Sequence, residues 1–223
     1  MENINSSKNL SLNKSTYVNL RWIAILGQLL TINIVKFVIG FEFNFILANI
    51  FVLLGAISNL ALIYFYKTKQ LLDRSALNFL IIDILQLSSL LYLTGGTINP
   101  FSIFLLIPSV FAASSLNINN NLFLIILTFL SIVILTFLHK ELPYPLNEYT
   151  FNKYYYYSFP VALTIALIFL NYFALTFGKE SKLRKEALDK IQEVIAKEHE
   201  LVSLGGQAAA AAHSLGTPLS TIK

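Results

Sequence analysis

Between Trp22 and Gly178 the chain consists of six apolar runs, approximately 22–40, 44–66, 76–94, 101–117, 121–139 and 157–178, with few charges among them. A helix needs about 20 apolar residues, at ~1.5 Å rise each, to cross ~30 Å of hydrocarbon. The fourth run is therefore marginal and the others are long enough. With 56% hydrophobic residues, 13% charged and a mean hydropathy of +0.65, the chain is more apolar than a soluble core of this size requires. The expected fold class is all-α, a six-helix transmembrane bundle (22–178) followed by a cytoplasmic coiled coil. The first two runs are parted only by Phe41, Glu42 and Phe43, which implies a tight antiparallel hairpin.

Charge placement sets the orientation. Residues 1–21 are polar and lack an apolar core, which argues against a cleaved signal peptide and for a cytoplasmic tail. Lys8, Lys14 and Arg21, then Lys67, Lys69 and Arg74, then the charged segment from Lys179 all fall on one side. The other side receives 41–43, 95–100 and the loop 140–156, whose only basic residues are Lys140 and Lys153. Because cytoplasmic loops carry the excess of Lys and Arg, both termini are expected in the cytoplasm. The tyrosines ending the last loop fit headgroup-level anchors better than a ligand box. The absence of cysteine excludes disulfides and thiolate centres within these residues. Nucleic acid is not an expected partner, because the tail after Gly178 mixes charge signs and has no aromatic-interleaved basic patch.

Asp83 is the polar outlier, placed mid-run in NFLIIDILQLSSLLYL. A carboxylate at that depth is costly, so it should be neutral, face the bundle interior or have a partner. Residues 79, 83, 86, 87 and 90 share a helix face, which brings Gln86 one turn from Asp83. Ser58 and Asn59, or Gln28 and Asn33, would complete a polar cluster. Interhelical packing, signal sensing and ion movement all remain open roles for it. Lys36 can snorkel or pair with Glu42 across the turn. In the turn Gly95-Gly96-Thr97-Ile98-Asn99-Pro100-Phe101, the glycines permit positive φ, while Pro100 and Asn99 suit a helix start. It reads either as an ordinary tight turn or as the wall of a small pocket, with Asn99 donating to a quinone-like carbonyl and Phe101 or Tyr92 flanking a ring.

After Gly178 the sequence reads as one long helix. Lys182–Glu186, Glu186–Lys190 and Glu193–Lys197 stand four apart, and apolar positions 183, 187, 194, 201, 204, 208, 211 and 215 form a seam suited to a parallel two-helix coil. The segment divides into a signalling helix, 179–204, and a terminal piece, 205–223. In the latter, the alanine run 208–212 allows close packing, and Pro218 is expected to kink or loosen the turn after His213. An imidazole there can act as a nucleophile toward a phosphoryl donor.

Three separated pieces carry a resemblance. They are Arg21-Trp22-x-Ala24-x-x-Gly27-Gln28, the turn Gly95 through Phe101, and Ala209 through Leu219 around His213. Together they resemble the sensor histidine kinases, and among them the RegB/PrrB redox-sensing family. The resemblance implies a homodimer in a bacterial inner membrane, with His213 as phosphoacceptor and Ser214, Thr217 and Pro218 in its box (the first helix of a dimerisation and phosphotransfer, or DHp, domain). It further implies that Gly95, Gly96, Asn99, Pro100 and Phe101, with Gln28, respond to ubiquinone from the membrane quinone pool. The phosphoryl group would pass to a cytoplasmic response regulator. No metal site in the sensor region is implied.

Two departures accompany it. Ser214 stands where the family usually has an acidic residue, and a hydroxyl is a far weaker base than a carboxylate. Residues 1–223 also encode neither a second DHp helix nor an ATP-binding domain, so ATP and Mg2+ would act only through a catalytic domain outside them. These residues alone are expected not to phosphorylate themselves. A catalytically incomplete membrane adaptor, pairing with an intact kinase, is the alternative; a small transporter would leave the His213 segment unexplained.

Overall fold

The computed structural model describes residues 12–68, 70–141 and 153–219, and in the last helix side chains from 154 to 211, Tyr155 excepted. The elements are β1 (Leu12–Asn13), α1 (Lys14–Asn33), a π-helical turn (Ile34–Ile39), α2 (Phe45–Phe65), β2 (Gln70–Leu71) and α3 (Asp73–Leu93). Two 3-10 turns (Gly96–Ile98 and Pro100–Leu106), α4 (Ile107–Ser115), α5 (Ile118–Phe137) and α6 (Lys153–Leu219) complete the order. The protein is thus mostly α-helical. The small exception is an antiparallel pairing of β1 with β2, Leu12 opposite Leu71 and Asn13 opposite Gln70.

Asparagine starts several of these helices. Asn13 accepts from the amides of Ser15 and Thr16, Asn44 from Leu47, Asn99 from Phe101 and Asn117 from Asn120. Each cap satisfies an amide that the helix itself leaves unpaired, which matters most where lipid replaces water. The hairpin between the first two runs closes at Gly40, whose φ of 83° ends the π turn in the left-handed region.

Five helical segments are long and apolar enough to cross a bilayer: Lys14–Ile39, Phe45–Phe65, Asp73–Leu93, Ile118–Phe137 and part of α6. The first starts at Lys14, before the apolar run proper, so Arg21 lies within the helix rather than in a tail. The fourth run gives the shorter apolar stretch Pro100–Ser115. Its first half is 3-10 helix, which rises ~2.0 Å per residue, so together with α4 the stretch reaches roughly 27 Å. That approaches the hydrocarbon thickness with fewer residues than an α-helix would use.

The bundle up to Gly178 is one compact unit and the residues from Lys179 form another. In the first, α2 packs on α1 and α3, α3 on α4 and α5, and α4 on α5. Leu62, Leu80, Ile84, Leu105, Leu124 and Leu167 form the buried centre. α6 joins it through the Ser109 hydroxyl, which donates to Asn171 Oδ1 at 3.2 Å, and through Gly178 lying against Ser114. Many large apolar side chains point outward, among them Leu30, Phe37, Leu53, Ile126 and Phe173. So much exposed apolar surface suits hydrocarbon as the solvent.

In the second unit, α6 continues as helix to Leu219, through Gly205, Gly206 and Pro218. Helix is thus retained across the turn expected to loosen after His213. Of the three expected charge pairs on its surface only Glu193–Lys197 forms, at 2.8 Å, and Arg184 pairs with Glu180 at 2.6 Å. Apolar residues on this unit, including Leu183, Val194, Leu201 and Leu204, are exposed.

Candidate functional site

Three places carry the candidate residues: a polar seam between α1, α2 and α3, the turn Gly95–Phe101, and the His213 stretch of α6.

The seam starts from spacing. Lys14, Arg21 and Gln28 stand seven apart on α1, which puts them on one face. Lys14 Nζ donates to the carbonyls of Ile63 (3.0 Å) and Tyr66, closing the C-terminal end of α2, where a cation is favoured. One level further, Arg21 is 5% exposed and donates from Nε and Nη2 to Asp83 Oδ1, at 2.9 and 2.7 Å, and from Nη2 to Ser58 Oγ at 2.9 Å. The Tyr17 hydroxyl donates to the other carboxylate oxygen at 2.6 Å. The guanidinium carbon also lies 5.5 Å from the Tyr17 ring and 5.4 Å from the Phe79 ring, within cation–π range. At the third level Gln86 donates to Gln28 at 2.9 Å, with Gly55 of α2 against the Gln86 side chain. Asn59 donates to the Val18 carbonyl at 3.3 Å, whereas Asn33 bonds within its own helix.

Asp83 therefore has its partner, and it is Arg21, which sequence reading had counted with the cytoplasmic charges. The signal was present in the seven-residue spacing and in a lone acid facing a helix that starts with basic residues. The contacts perform interhelical packing: one charged pair and its hydrogen bonds hold three helices in register. Lys36 and Glu42 do not pair; among the described residues the ion pairs are Arg21–Asp83, Arg184–Glu180 and Lys197–Glu193.

The turn is built by sterics. Gly95 and Gly96 have φ of 105° and 60°, and a Cβ on Gly96 would lie 2.3 Å from the Leu135 carbonyl oxygen and 2.7 Å from His139 Cγ. No side chain fits there, so backbone packs directly on the end of α5. Asn99 Nδ2 donates to the Thr94 carbonyl (3.0 Å) and hydroxyl oxygen (2.8 Å), while its Oδ1 caps Phe101 N–H at 2.9 Å. The Asn99 carboxamide is thus engaged inside the turn. Ser102 donates to the Thr97 carbonyl at 3.0 Å, and buried Thr97 faces Thr136 at 3.4 Å. Pro100 opens the second 3-10 turn, and Phe101, 41% exposed, stacks on Phe104 with ring centroids 6.0 Å apart.

His139 is a residue the sequence reading passed over. Its ring lies against Gly96 and 6.0 Å from Tyr156, whose hydroxyl donates to the Thr136 carbonyl, so turn, α5 and the start of α6 meet there. Tyr156 is thereby tied to the bundle.

Gln28 belongs to the α1–α3 seam, bonded to Gln86, and the turn keeps its own partners. His213, Ser214, Thr217 and Pro218 lie on the α6 backbone, but their side chains are outside the described residues. Among the described residues no cluster of His, Asp or Glu is arranged to hold a metal. A groove of about 560 Å³ opens between α2, α3 and α5 beside the turn, and none of Gly95–Phe101 lines it.

The chain is similar to a sensor histidine kinase RegB of Cereibacter sphaeroides, 34% identical over 213 residues that cover 93% of this chain and 46% of the relative. A second RegB, from strain ATCC 17023 of the same species, is 40% identical over 67 residues, 30% of this chain and 14% of that protein. The chain thus spans less than half the length of the curated relatives it matches. No protein-family model and no solved structure matches it. Over nearly its whole length the chain is thus similar to part of a sensor histidine kinase RegB, and several of its helices are long and apolar enough to cross a membrane.

Proposed function

We propose that these residues are the sensor region of a two-component histidine kinase that reads the redox state of ubiquinone in a bacterial inner membrane. The observation that carries the reading is that one helix, α6, holds both the last apolar segment and His213 in a chain aligned to RegB over 93% of its length. In this reading Pro100–Ser115 completes a six-span bundle, and α6 supplies the first DHp helix. The exposed apolar positions of α6 after Gly178 pair with a second copy as a parallel coil. A displacement at the membrane level is then passed along α6 to the phosphoacceptor.

His213 takes the γ-phosphoryl group of ATP from a catalytic, Mg2+-bearing domain outside residues 1–223 and gives it to an aspartate of a response regulator. Ser214 replaces the usual acid beside it, so proton removal from the imidazole depends on another group and transfer is slow. The turn Gly95–Phe101 is the quinone-responsive element. With Asn99 committed within the turn, its contribution is to hold the exposed Phe101 and Phe104 rings toward the membrane, while Gln28 acts through the α1–α3 seam.

The test incubates the chain in nanodiscs with labelled ATP and the isolated catalytic domain of RegB. Label is expected on the wild type and not on His213→Gln, at a rate that differs between ubiquinone and ubiquinol. Labelling without the added domain, or equal labelling of the variant, would defeat the phosphoacceptor assignment. A rate blind to quinone redox state would defeat the sensing assignment alone. A catalytically incomplete adaptor, the second reading, gives no His213 label with the domain present.

A further inference from the structure

The groove between α2, α3 and α5 belongs neither to the turn nor to the phosphoacceptor, and its chemistry is layered. At its rim stands Lys140, an exposed cation with no ion-pair partner among the described residues, anchored by its backbone N–H on the Tyr92 carbonyl at 2.8 Å. Four residues back along α3 from Tyr92, roughly 6 Å deeper, comes Ser88, whose buried hydroxyl has no hydrogen-bond partner. Leu47, Phe51, Leu85 and Ile134 make the apolar walls. Leu85 and Ile134 are half exposed on the flank, so the groove opens toward the lipid.

A cation, then an unsatisfied hydroxyl about 6 Å deeper, then hydrocarbon is the order of phosphate, ester carbonyl and acyl chain in a glycerophospholipid. We propose that this groove is a binding site for one anionic phospholipid of the adjacent leaflet, its phosphate on Lys140, an ester carbonyl accepting from Ser88 and one acyl chain between α2 and α5. Two observations select this occupant. An ammonium with no ion-pair partner among the described residues favours a lipid with net negative charge over a zwitterionic one, and a donor left dry in an apolar surround is costly until an acceptor reaches it. Bound there, the lipid would bridge α2, α3 and α5 beside Gly96, whose backbone packs on α5 at Leu135.

The test uses the full chain in nanodiscs and spin-labelled phosphatidylglycerol against spin-labelled phosphatidylcholine, reading the immobilised fraction by electron paramagnetic resonance. Wild type should prefer phosphatidylglycerol. Lys140→Gln should lower that preference about fivefold, the factor for one near-surface cation, while Lys140→Arg keeps it. Lys36→Gln, a cation elsewhere on the bundle, should leave it unchanged. Ser88→Ala should lower occupancy by both lipids. Equal immobilisation of the two lipids by wild type, or a preference indifferent to Lys140, would overturn the proposal. Displacement of phosphatidylglycerol by a neutral short-chain quinone at equal mole fraction would also overturn it.

Discussion

The two ends of the helical bundle are held by different physics. Toward the α1–β2 end, Arg21, Asp83, Tyr17 and Ser58 join three helices through a charge pair whose Arg21 is buried and whose Asp83 is partly buried. At the opposite end, the turn Gly95–Phe101 is joined to α5 by neutral hydrogen bonds and by a backbone approach that leaves no room for a side chain. The first depends on two groups being present together. The second depends on one group being absent. In a low-dielectric surround a charge pair is worth little against well-packed apolar replacements, yet each half is costly alone. A steric fit has no such partner to compensate.

The contrast breaks first at the charge pair. Asp83→Leu strands the buried Arg21 guanidinium and should lower stability by about 3–5 kcal/mol, and Arg21→Met, which leaves the partly buried Asp83 carboxylate without its counter-charge, by somewhat less. The double variant should recover most of that loss. Thermal unfolding of the purified protein in one detergent reads all three, and additive losses in the double variant would show that the groups do not act as a pair.

The next largest effect belongs to the turn. Gly96→Ala combines a left-handed backbone with a Cβ driven into the Leu135 carbonyl and should cost about 3 kcal/mol. Gly27→Ala, with nothing within 4 Å of the added Cβ, should be neutral or slightly stabilising in the same assay. No second-site change at His139 should rescue Gly96→Ala, because the closer obstacle is backbone. Smallest is Asn99→Ala, which removes the cap on Phe101 and the bonds to Thr94 and should cost about 1–2 kcal/mol. If Asn99→Ala abolished quinone response without that loss, the carboxamide would be reaching a ligand instead of the turn.

The membrane-spanning character of this chain was readable from run length and charge scarcity, because both follow from the solvent and not from packing. The Asn99 cap was equally local. What the sequence concealed was pairing across elements. Arg21 looked like a topology charge because it borders an apolar run, and only the packing of both α1 and α3 on α2 turns it inward to Asp83. Gly96 was legible as a flexible residue but not as a contact, since its neighbour at Leu135 comes from a helix far along the chain. Asn99 was read both as a helix start and as available to a ligand, and the sequence did not show that its bonds to the Thr94 carbonyl and hydroxyl, added to the cap on Phe101, would occupy the whole carboxamide. The fourth run stayed marginal by counting because residue count assumes an α-helical rise, and Pro100–Leu106 takes the longer 3-10 one.

In the function proposed above, a membrane bundle carries His213, on α6, to the same side of the bilayer as the α2–α3 connection. The chain has no cysteine, so single cysteines can be introduced without background. Lys67→Cys and Ser214→Cys, in sealed inverted vesicles, should both react with a membrane-impermeant maleimide, while Glu42→Cys should react only after the vesicles are opened. Labelling of positions 67 and 214 from opposite faces would contradict the arrangement.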